Sequence, residues 1–190
     1  MSDNFLQAKK SVLEKRADKS HEGQIDRHIL KLCGIINDKD QYYTTSSCSG
    51  RIILLKDVEI KDKENFLFKS HDKISFSDLK KEIEKAAANY KGRVKFKFDA
   101  CILHVACKDL VSAQKLYDKA KLSGWKRNGI QSSTNGRFVL ELNSSERLEF
   151  PVLDKGKVLV SDEFLKIIVS ESNKSFEKCW DKIKRLERVV

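Results

Sequence analysis

The sequence lacks the features that mark several common classes of protein. No apolar run approaches the roughly 20 residues needed to span a bilayer. The first ten residues carry no apolar core of a signal peptide, so we expect a cytoplasmic protein that does not enter a membrane. The one proline and eight glycines are scattered and mark no flexible linker. We therefore predict a single compact domain over residues 1–190.

Two motif classes are also missing. No Gly-x-Gly-x-x-Gly occurs and no two glycines are closer than five residues, which argues against a Rossmann-type nucleotide site. The cysteines are five, an odd number, and none forms a Cys-x-x-Cys pair. This pattern favours reduced thiols over a disulfide framework. It also lacks the paired spacing of a zinc site, so we predict no metal.

Charge is abundant and unbalanced. The chain has 38 Lys and Arg against 28 Asp and Glu, which gives a formal net charge of +10. Such an excess favours a polyanionic partner, with nucleic acid the leading candidate. The alternative is a chain that uses lysine for solubility alone. Hydrophobic residues make up 40%, enough for a folded globular protein.

The hydrophobic periodicity mixes helices and strands without a steady βαβα order. Helices are predicted at 4–16, 24–37, 77–90 and 109–122, and from about 161 to the C-terminus with a candidate break near Asn173. Strands are predicted at 42–47, 51–56, 65–71, 93–98, 101–107, 128–132, 137–142 and 146–151. We infer an α+β fold built on a mixed or antiparallel sheet with packed helices.

The most unusual stretch lies between the first two predicted strands. Six consecutive small hydroxyl or thiol residues, 44–49, precede Gly50 and Arg51. Small side chains let a ligand approach the backbone, successive N–H groups can cradle an anion, and arginine can fork onto a carboxylate or phosphate. The alternative is an ordinary hairpin loop. The candidate binding residues are Thr44, Ser46, Ser47, Cys48, Ser49, Gly50 and Arg51.

Three residues are candidates for reaction chemistry. Cys48 is a candidate nucleophile or a small packing residue. His104 interrupts an apolar strand and is either a satisfied core histidine or a proton acceptor. His71 lies at the end of a predicted strand, a position where binding and catalytic residues are common. A zinc site from these three residues fits by residue type but has no support from their spacing.

Cations mark candidate nucleic-acid contacts, with a solvated surface as the alternative. They are Lys91, Arg93, Lys95, Lys97, Lys126 and Arg127. Trp125 can stack on a base, although core packing is more usual for tryptophan after a helix. Glu146 and Glu149 can form a metal-binding or acid/base pair, although Arg147 between them favours surface ion pairing.

Several segments follow one another over nearly the whole chain: Asp18-Lys-Ser20 with Gly23 and Asp26, then 43–52, His71, 102–110 with Ala113, 124–130, 146–151 and 160–163. Together they resemble the tRNA wybutosine-synthesizing protein 3 family of archaea and eukaryotes. The most specific is Ser46-Ser-Cys-Ser-Gly-Arg51. Phe68 stands where the family usually has Trp, and Asn128 where it often has Ser.

The resemblance implies an S-adenosylmethionine-dependent methyltransferase with a fold unlike the Rossmann methyltransferases. Its substrate would be phenylalanine tRNA, at the N-4 ring nitrogen of the tricyclic base 3′ of the anticodon. In this interpretation His71 and His104 are candidate proton acceptors, and Arg51 holds a carboxylate or phosphate. Phe68 would stack on the tricycle.

Two other functions compete with this interpretation. A non-catalytic RNA-binding module would use the same basic surface without binding S-adenosylmethionine. A Cys–His hydrolase or transferase would depend on Cys48 and His104 and would lose all activity in Cys48→Ser.

Overall fold

The computed structural model describes residues 2–14, 26–59, 62–134 and 136–190. The helices within those residues are α1 Ser2–Glu14, α2 Leu30–Asn37, α3 Phe76–Asn89, α4 Leu110–Leu122 and α5 Asp162–Val189. The strands are β1 Tyr42–Cys48, β2 Arg51–Lys56, β3 Phe66–Ser70, β4 Val94–Asp99, β5 Ile102–Cys107, β6 Arg127–Thr134, β7 Arg137–Asn143, β8 Leu148–Asp154 and β9 Lys157–Val158.

The chain divides into two compact units, each with its own sheet. Unit 1 comprises Met1–Ser49, Cys101–Ser145 and Cys179–Val190. Unit 2 comprises Gly50–Ala100 and Glu146–Lys178. The assignment of residues 1–190 to one domain stays a prediction.

Unit 1 is built on a four-stranded antiparallel sheet in the order β1-β5-β7-β6. Helices α1, α2 and α4 pack on its strands. Phe5 of α1 meets the fully buried Tyr43 of β1, with 5.1 Å between ring centroids. Leu103 and Val105 of β5 are also fully buried, so apolar burial fixes the central strand of this sheet.

Unit 2 is built on a five-stranded antiparallel sheet in the order β3-β2-β4-β8-β9. In β4, Val94, Phe96 and Phe98 are fully buried while the lysines between them stay partly exposed. The strand predicted at 93–98 is thus half-buried, because successive side chains in a strand point to opposite faces. Phe98 contacts Phe176 of α5 edge to face, at 5.0 Å between centroids.

Two helices begin at strong caps that were visible in the sequence. Ser75 caps α3 in a reciprocal capping box with Asp78. The Asp109 side chain accepts from the Ser112 N–H and caps α4. Gly124, at φ +94°, adopts the left-handed conformation after α4, and the Trp125 N–H bonds back to Ala120 O. These signals explain why both helices were predicted nearly to their observed ends.

The predicted α+β fold with antiparallel pairing and packed helices is confirmed, and the strands form two sheets rather than one. Helix α5 runs through Asn173 without the candidate break, because the Asn173 side chain bonds outward to the backbone N–H and C=O of Ile74. Helix α2 begins at Leu30 rather than near residue 24. The polar turn at 18–23, which the sequence offers as a cap for this helix, lies outside the described residues.

Candidate functional site

The small-residue stretch leaves one sheet and enters the other. β1 pairs with β5, whereas β2 pairs with β3 and β4, so the connection is not a hairpin loop. Gly50 has φ +110°, a conformation that favours glycine over any residue with a side chain. A Cβ there would meet only ordinary contacts near 3.5 Å, so the backbone angle rather than lack of space requires glycine.

Within unit 1, Asp26 holds the end of the stretch. Its Oδ2 accepts the Ser49 N–H at 3.0 Å and also accepts the Ser49 hydroxyl, while its Oδ1 accepts the His28 N–H at 3.0 Å. Ser49 is fully buried. The Ser49 hydroxyl proton is therefore engaged inside the protein. Asp26 had entered the sequence analysis only as part of the family resemblance.

A second chain of hydrogen bonds crosses the unit 1 sheet through Ser46, His104 and Glu141. Ser46 Oγ lies 2.8 Å from His104 Nδ1, and His104 Nε2 lies 2.9 Å from Glu141 Oε2. The three residues are direct cross-strand neighbours on β1, β5 and β7. A register shift between Thr44 and Ser46 sets this alignment, and bulges of that kind re-aim side chains at functional sites.

The partners define the direction of this chain. The Glu141 carboxylate can only accept, so His104 Nε2 carries the hydrogen and neutral His104 presents its lone pair at Nδ1. The Ser46 hydroxyl then donates to that lone pair. All three side chains remain partly exposed. The arrangement can accept a proton at Ser46 and store it on His104 beside a negative charge.

Within unit 2, Arg51 is fixed before any ligand arrives. Its Nε and Nη2 both lie 3.1 Å from Asp99 Oδ2, and its Cζ lies 5.6 Å from the Phe66 ring centroid. Among the described residues, its Nη1 makes no hydrogen bond. Asp99 also faces Lys97 Nζ at 3.8 Å, so two cations share one carboxylate here. A preorganised guanidinium of this kind can bind an additional anion.

His71, the other predicted proton acceptor, contacts the bend within unit 2. Its Nδ1 lies 3.1 Å from Gly50 O. Because a carbonyl only accepts, Nδ1 carries the hydrogen and the neutral ring has its lone pair on Nε2. Phe68 lies in β3, half-buried, opposite Leu54 of β2. The base-stacking role of Phe68 stays a prediction.

The cysteines divide by environment, and all five are free thiols. Cys48 is partly exposed at the end of β1. Burial raises the pKa of the Cys101 thiol well above its ordinary value, and it raises the pKa of Cys107 to about 12. Both ring nitrogens of His104 bond Ser46 and Glu141, so the geometry gives no support to a Cys48–His104 pair.

The β4 cations predicted to contact nucleic acid are paired with carboxylates. Lys95 Nζ lies 2.8 Å from Asp57 Oδ1, and Lys97 Nζ lies 3.5 Å from Glu149 Oε2. Arg93 Nε lies 3.6 Å from a carboxylate oxygen of Asp154. These ion pairs offset the positive charge of the face. The RNA-binding role predicted for this face stays untested.

The other residues predicted to contact RNA differ in how exposed they are. Lys126 and Arg127 are exposed, and in the described part of the chain neither forms an ion pair. Exposed Lys91 donates to Ala87 O at 3.3 Å. Trp125 is fully buried and its indole N–H donates to Lys182 O, so it packs in the core rather than stacking on a base.

The surface ion pairing favoured for 146–149 is present in the structure. Arg147 Nη2 lies 2.8 Å from Glu149 Oε2. This hydrogen bond lowers the pKa of Glu149, and nearby Lys97 adds to the effect. An ionised, paired carboxylate is a poor general acid, so the surface ion-pairing interpretation is favoured.

Comparison with known proteins identifies relatives over nearly the full length. The family model described as "Methyltransferase TYW3" matches residues 7–190. A zebrafish (Danio rerio) "tRNA wybutosine-synthesizing protein 3 homolog" is 36% identical over 191 residues, covering 98% of this chain and 73% of the relative. A Pyrococcus furiosus protein named "tRNA(Phe) 7-((3-amino-3-carboxypropyl)-4-demethylwyosine(37)-N(4))-methyltransferase 1" is 35% identical, covering 98% and 94% of the two chains.

Solved structures agree with this relationship. The PH1069 protein from Pyrococcus horikoshii superposes with a TM-score of 0.88 at 34% identity, covering 99% of this chain and 96% of that one.

Among the described residues of this chain, no helix has the length and apolarity needed to cross a membrane.

Proposed function

The chain belongs to the TYW3 methyltransferase family, and from this premise we propose that it methylates phenylalanine tRNA with S-adenosylmethionine as the donor. The proposed target is the N-4 ring nitrogen of the aminocarboxypropyl-demethylwyosine base 3′ of the anticodon, in wybutosine biosynthesis. The enzyme class follows from the family. The methyl donor, the tRNA partner and the roles of individual residues are our proposals.

The side chains of 44–51 fit the methyl donor by their chemistry. S-adenosylmethionine has a carboxylate and an ammonium group, ribose hydroxyls and a methyl group on a positively charged sulfur. Arg51, fixed by Asp99 through Nε and Nη2, would bind the carboxylate through Nη1. The hydroxyls of Ser46 and Ser47 and the thiol of Cys48 are small enough to let the donor approach the backbone.

Methyl transfer is mainly a matter of positioning. When bound, the donor supplies an electrophilic methyl group: the N–CH₃ bond forms as the S–CH₃ bond breaks, and the electron pair stays on sulfur. The protein holds the two reacting atoms in line, which reduces the entropic part of the barrier. The methylated nitrogen then carries excess positive charge and must release its N–H proton.

The single observation that carries the reaction chemistry is the chain Ser46–His104–Glu141. Ser46 Oγ would take the proton released by the base and pass its own hydroxyl hydrogen to His104 Nδ1, 2.8 Å away. The resulting imidazolium would be stabilised by the Glu141 carboxylate at 2.9 Å. Glu141 thus acts as a positioning residue through His104. His71 is the alternative proton acceptor.

The decisive experiment uses phenylalanine tRNA that carries the tricyclic precursor. The protein is incubated with this tRNA and methyl-labelled S-adenosylmethionine, and the modified nucleoside is analysed by mass spectrometry. We expect one added methyl group on the tricycle and none on matched tRNA that retains an unmodified guanosine. An RNA-binding module without catalysis would bind the tRNA but transfer no methyl group, which would overturn the proposal.

A further inference from the structure

The segment after Asp118 is depleted of negative charge. No Asp or Glu occurs in residues 119–140, although the whole chain carries 28 acidic residues. The same stretch contains Lys119, Lys121, Lys126, Arg127 and Arg137. Between Asp118 and Glu141 the segment therefore carries positive charge with no acidic residue in between.

The structure places most of this charge on adjoining elements of unit 1, because the end of α4 leads into β6 and the two are in contact. The segment forms the C-terminal part of α4 and then the edge strand β6, which pairs only with β7 in the described part of the chain. Lys121, Lys126 and Arg127 are exposed. The strand continues with exposed polar side chains: Gln131, Ser132, Ser133 and Thr134. We call these residues, with Lys119, the α4–β6 surface.

These cations differ from those of β4. Within the described residues, no carboxylate lies within ion-pair distance of Lys121, Lys126 or Arg127, whereas Lys95 and Arg93 each face one or more carboxylates. A cation that is already paired must exchange its partner to bind a phosphate, so it contributes less to binding. The α4–β6 surface therefore presents the stronger uncompensated field.

Two structural explanations account for only part of the pattern. Lys119 and Lys121 lie in the last turn of α4, where cations interact favourably with the helix dipole. Arg127 lies at the start of an edge strand, where charge discourages aggregation. Neither effect explains why acidic residues are absent along the whole of 119–140, or why hydroxyl and amide side chains line the exposed edge.

We propose that the α4–β6 surface binds the sugar–phosphate backbone of the tRNA substrate, an inference that depends on the proposed function. Phosphates are contacted by Lys and Arg and also by Ser, Thr and Gln side chains and by backbone N–H groups, all of which this surface offers. RNA adds 2′-hydroxyls, which pair with polar side chains of the same kind. Such contacts orient the RNA but read no sequence.

The test compares two triple variants of the full-length protein. One is Lys121→Gln with Lys126→Gln and Arg127→Gln. The matched variant removes three cations at and just before β4, which the sequence also offers as nucleic-acid contacts: Lys91→Gln with Arg93→Gln and Lys95→Gln. Binding of phenylalanine tRNA is measured by fluorescence anisotropy over a range of salt concentrations, with melting temperature and S-adenosylmethionine affinity as controls for folding.

We expect the α4–β6 variant to bind tRNA at least about ten-fold more weakly near 0.1 M salt, and its log–log salt slope to fall by about one for each phosphate contact that is lost, up to about three. The matched variant should change far less. Equal losses in both variants, a loss only in the matched variant, or no loss in either would overturn the inference. Methyl transfer by the wild type is measured separately. If the wild type binds tRNA but transfers no methyl group, the proposed function fails, and the comparison of variants still decides the surface.

Discussion

At the scale of single residues, the hydrogen bond from His104 to Glu141 gives the clearest catalytic prediction. We expect Glu141→Gln to keep the ring in place, because the amide oxygen can still accept from Nε2. The negative charge that stabilises the imidazolium is lost, so kcat should fall about ten-fold or more. The measurement is methyl-transfer kinetics with saturating tRNA.

A merely structural role for Glu141 would give a different result. Our interpretation requires the affinities for tRNA and S-adenosylmethionine to stay within about two-fold while kcat falls, with partial recovery in Glu141→Asp. As a control, Glu171→Gln removes an exposed carboxylate that pairs with Lys174 in unit 2. Loss of binding in Glu141→Gln, with kcat unchanged, would contradict the proton-acceptor role.

Arg51 and Cys48 give a second residue-scale prediction, which concerns binding of the donor. Arg51→Ala should weaken S-adenosylmethionine binding by about ten- to a hundred-fold, because a charged hydrogen bond contributes about 1.5–3 kcal/mol. Cys48→Ser should keep much of the affinity and activity, since methyl transfer from sulfur to nitrogen needs no thiol nucleophile. Isothermal titration calorimetry on both variants, with and without tRNA, provides the comparison. Equal losses would count against these roles.

Site residues that are close together in the sequence could be found from it, whereas pairs that are far apart along the chain could not. Residues 44–51 were recognisable because their unusual composition is contiguous. Glu141 was missed, since its contact with His104 depends on strand pairing over 37 residues. The ion pairs of Lys95 were hidden for the same reason, because Asp57 comes from another part of the sheet. The residue types of a contiguous segment can be seen in the sequence, whereas the register in which distant strands pair cannot.

At the scale of elements, the capping box of α3 supports a stability prediction. Ser75 accepts the Asp78 N–H at 3.1 Å, and the Asp78 carboxylate accepts the Ser75 N–H at 3.1 Å. Ser75→Ala should lower the free energy of unfolding by about 1 kcal/mol, the usual cost of losing such a cap. Urea denaturation can measure this loss, with the exposed Ser145→Ala as a control outside the helices.

The same cap should respond to acid. Hydrogen bonds from Ser75 lower the pKa of Asp78 below its ordinary 3.8 in the folded protein. The contribution is therefore fully present above about pH 4 and is lost as the pH falls through the lowered folded value. The difference in stability between wild type and Ser75→Ala should therefore narrow at low pH, although the bond from the Asp78 N–H to Ser75 Oγ remains. A difference that stays constant down to pH 2 would contradict this assignment.

Helices and strands differed in how well the sequence predicted them. α3 and α4 were predicted well because caps and a terminal glycine mark their ends. The candidate break in α5 was wrong because the asparagine chosen as a breaker has a distant partner, Ile74. β9 was not predicted, as two residues carry no periodicity. The division into two sheets depends on long-range pairing that no local pattern encodes.

At the scale of the whole molecule, the net charge of +10 is unevenly compensated. On the β4 face of unit 2, Lys95 and Lys97 are paired with Glu149 of β8, with Asp57 just after β2 and with Asp99 at the end of β4. In unit 1, the α4–β6 surface lacks such partners among the described residues. Net charge alone therefore predicted a polyanionic partner but not the surface that would bind it.

Two buried groups that ionise at alkaline pH, the Cys107 thiol and the Tyr42 hydroxyl, predict how the stability of the protein depends on pH. Burial raises the pKa of Cys107 from 9.0 to about 12, and the Asp109 carboxylate adds to the effect. Burial likewise raises the pKa of Tyr42 from 10.0 to about 12. Both groups are neutral when protonated, so the folded protein retains protons that the unfolded chain releases. Their contribution to stability is complete below about pH 9 and is lost as the pH rises toward 12.

We therefore expect the free energy of unfolding to decline above pH 9, by about 1.4 kcal/mol per pH unit for each group that the unfolded chain ionises. Denaturant titrations of wild type and Cys107→Ala between pH 7 and 11 measure the slope. The variant loses packing at every pH. Its free energy of unfolding should nevertheless fall less steeply with pH between pH 9 and 11, because the Cys107 proton is no longer released on unfolding. Parallel curves would mean that Cys107 ionises equally easily in the folded and unfolded chains. The alkaline sensitivity would then be assigned to Tyr42.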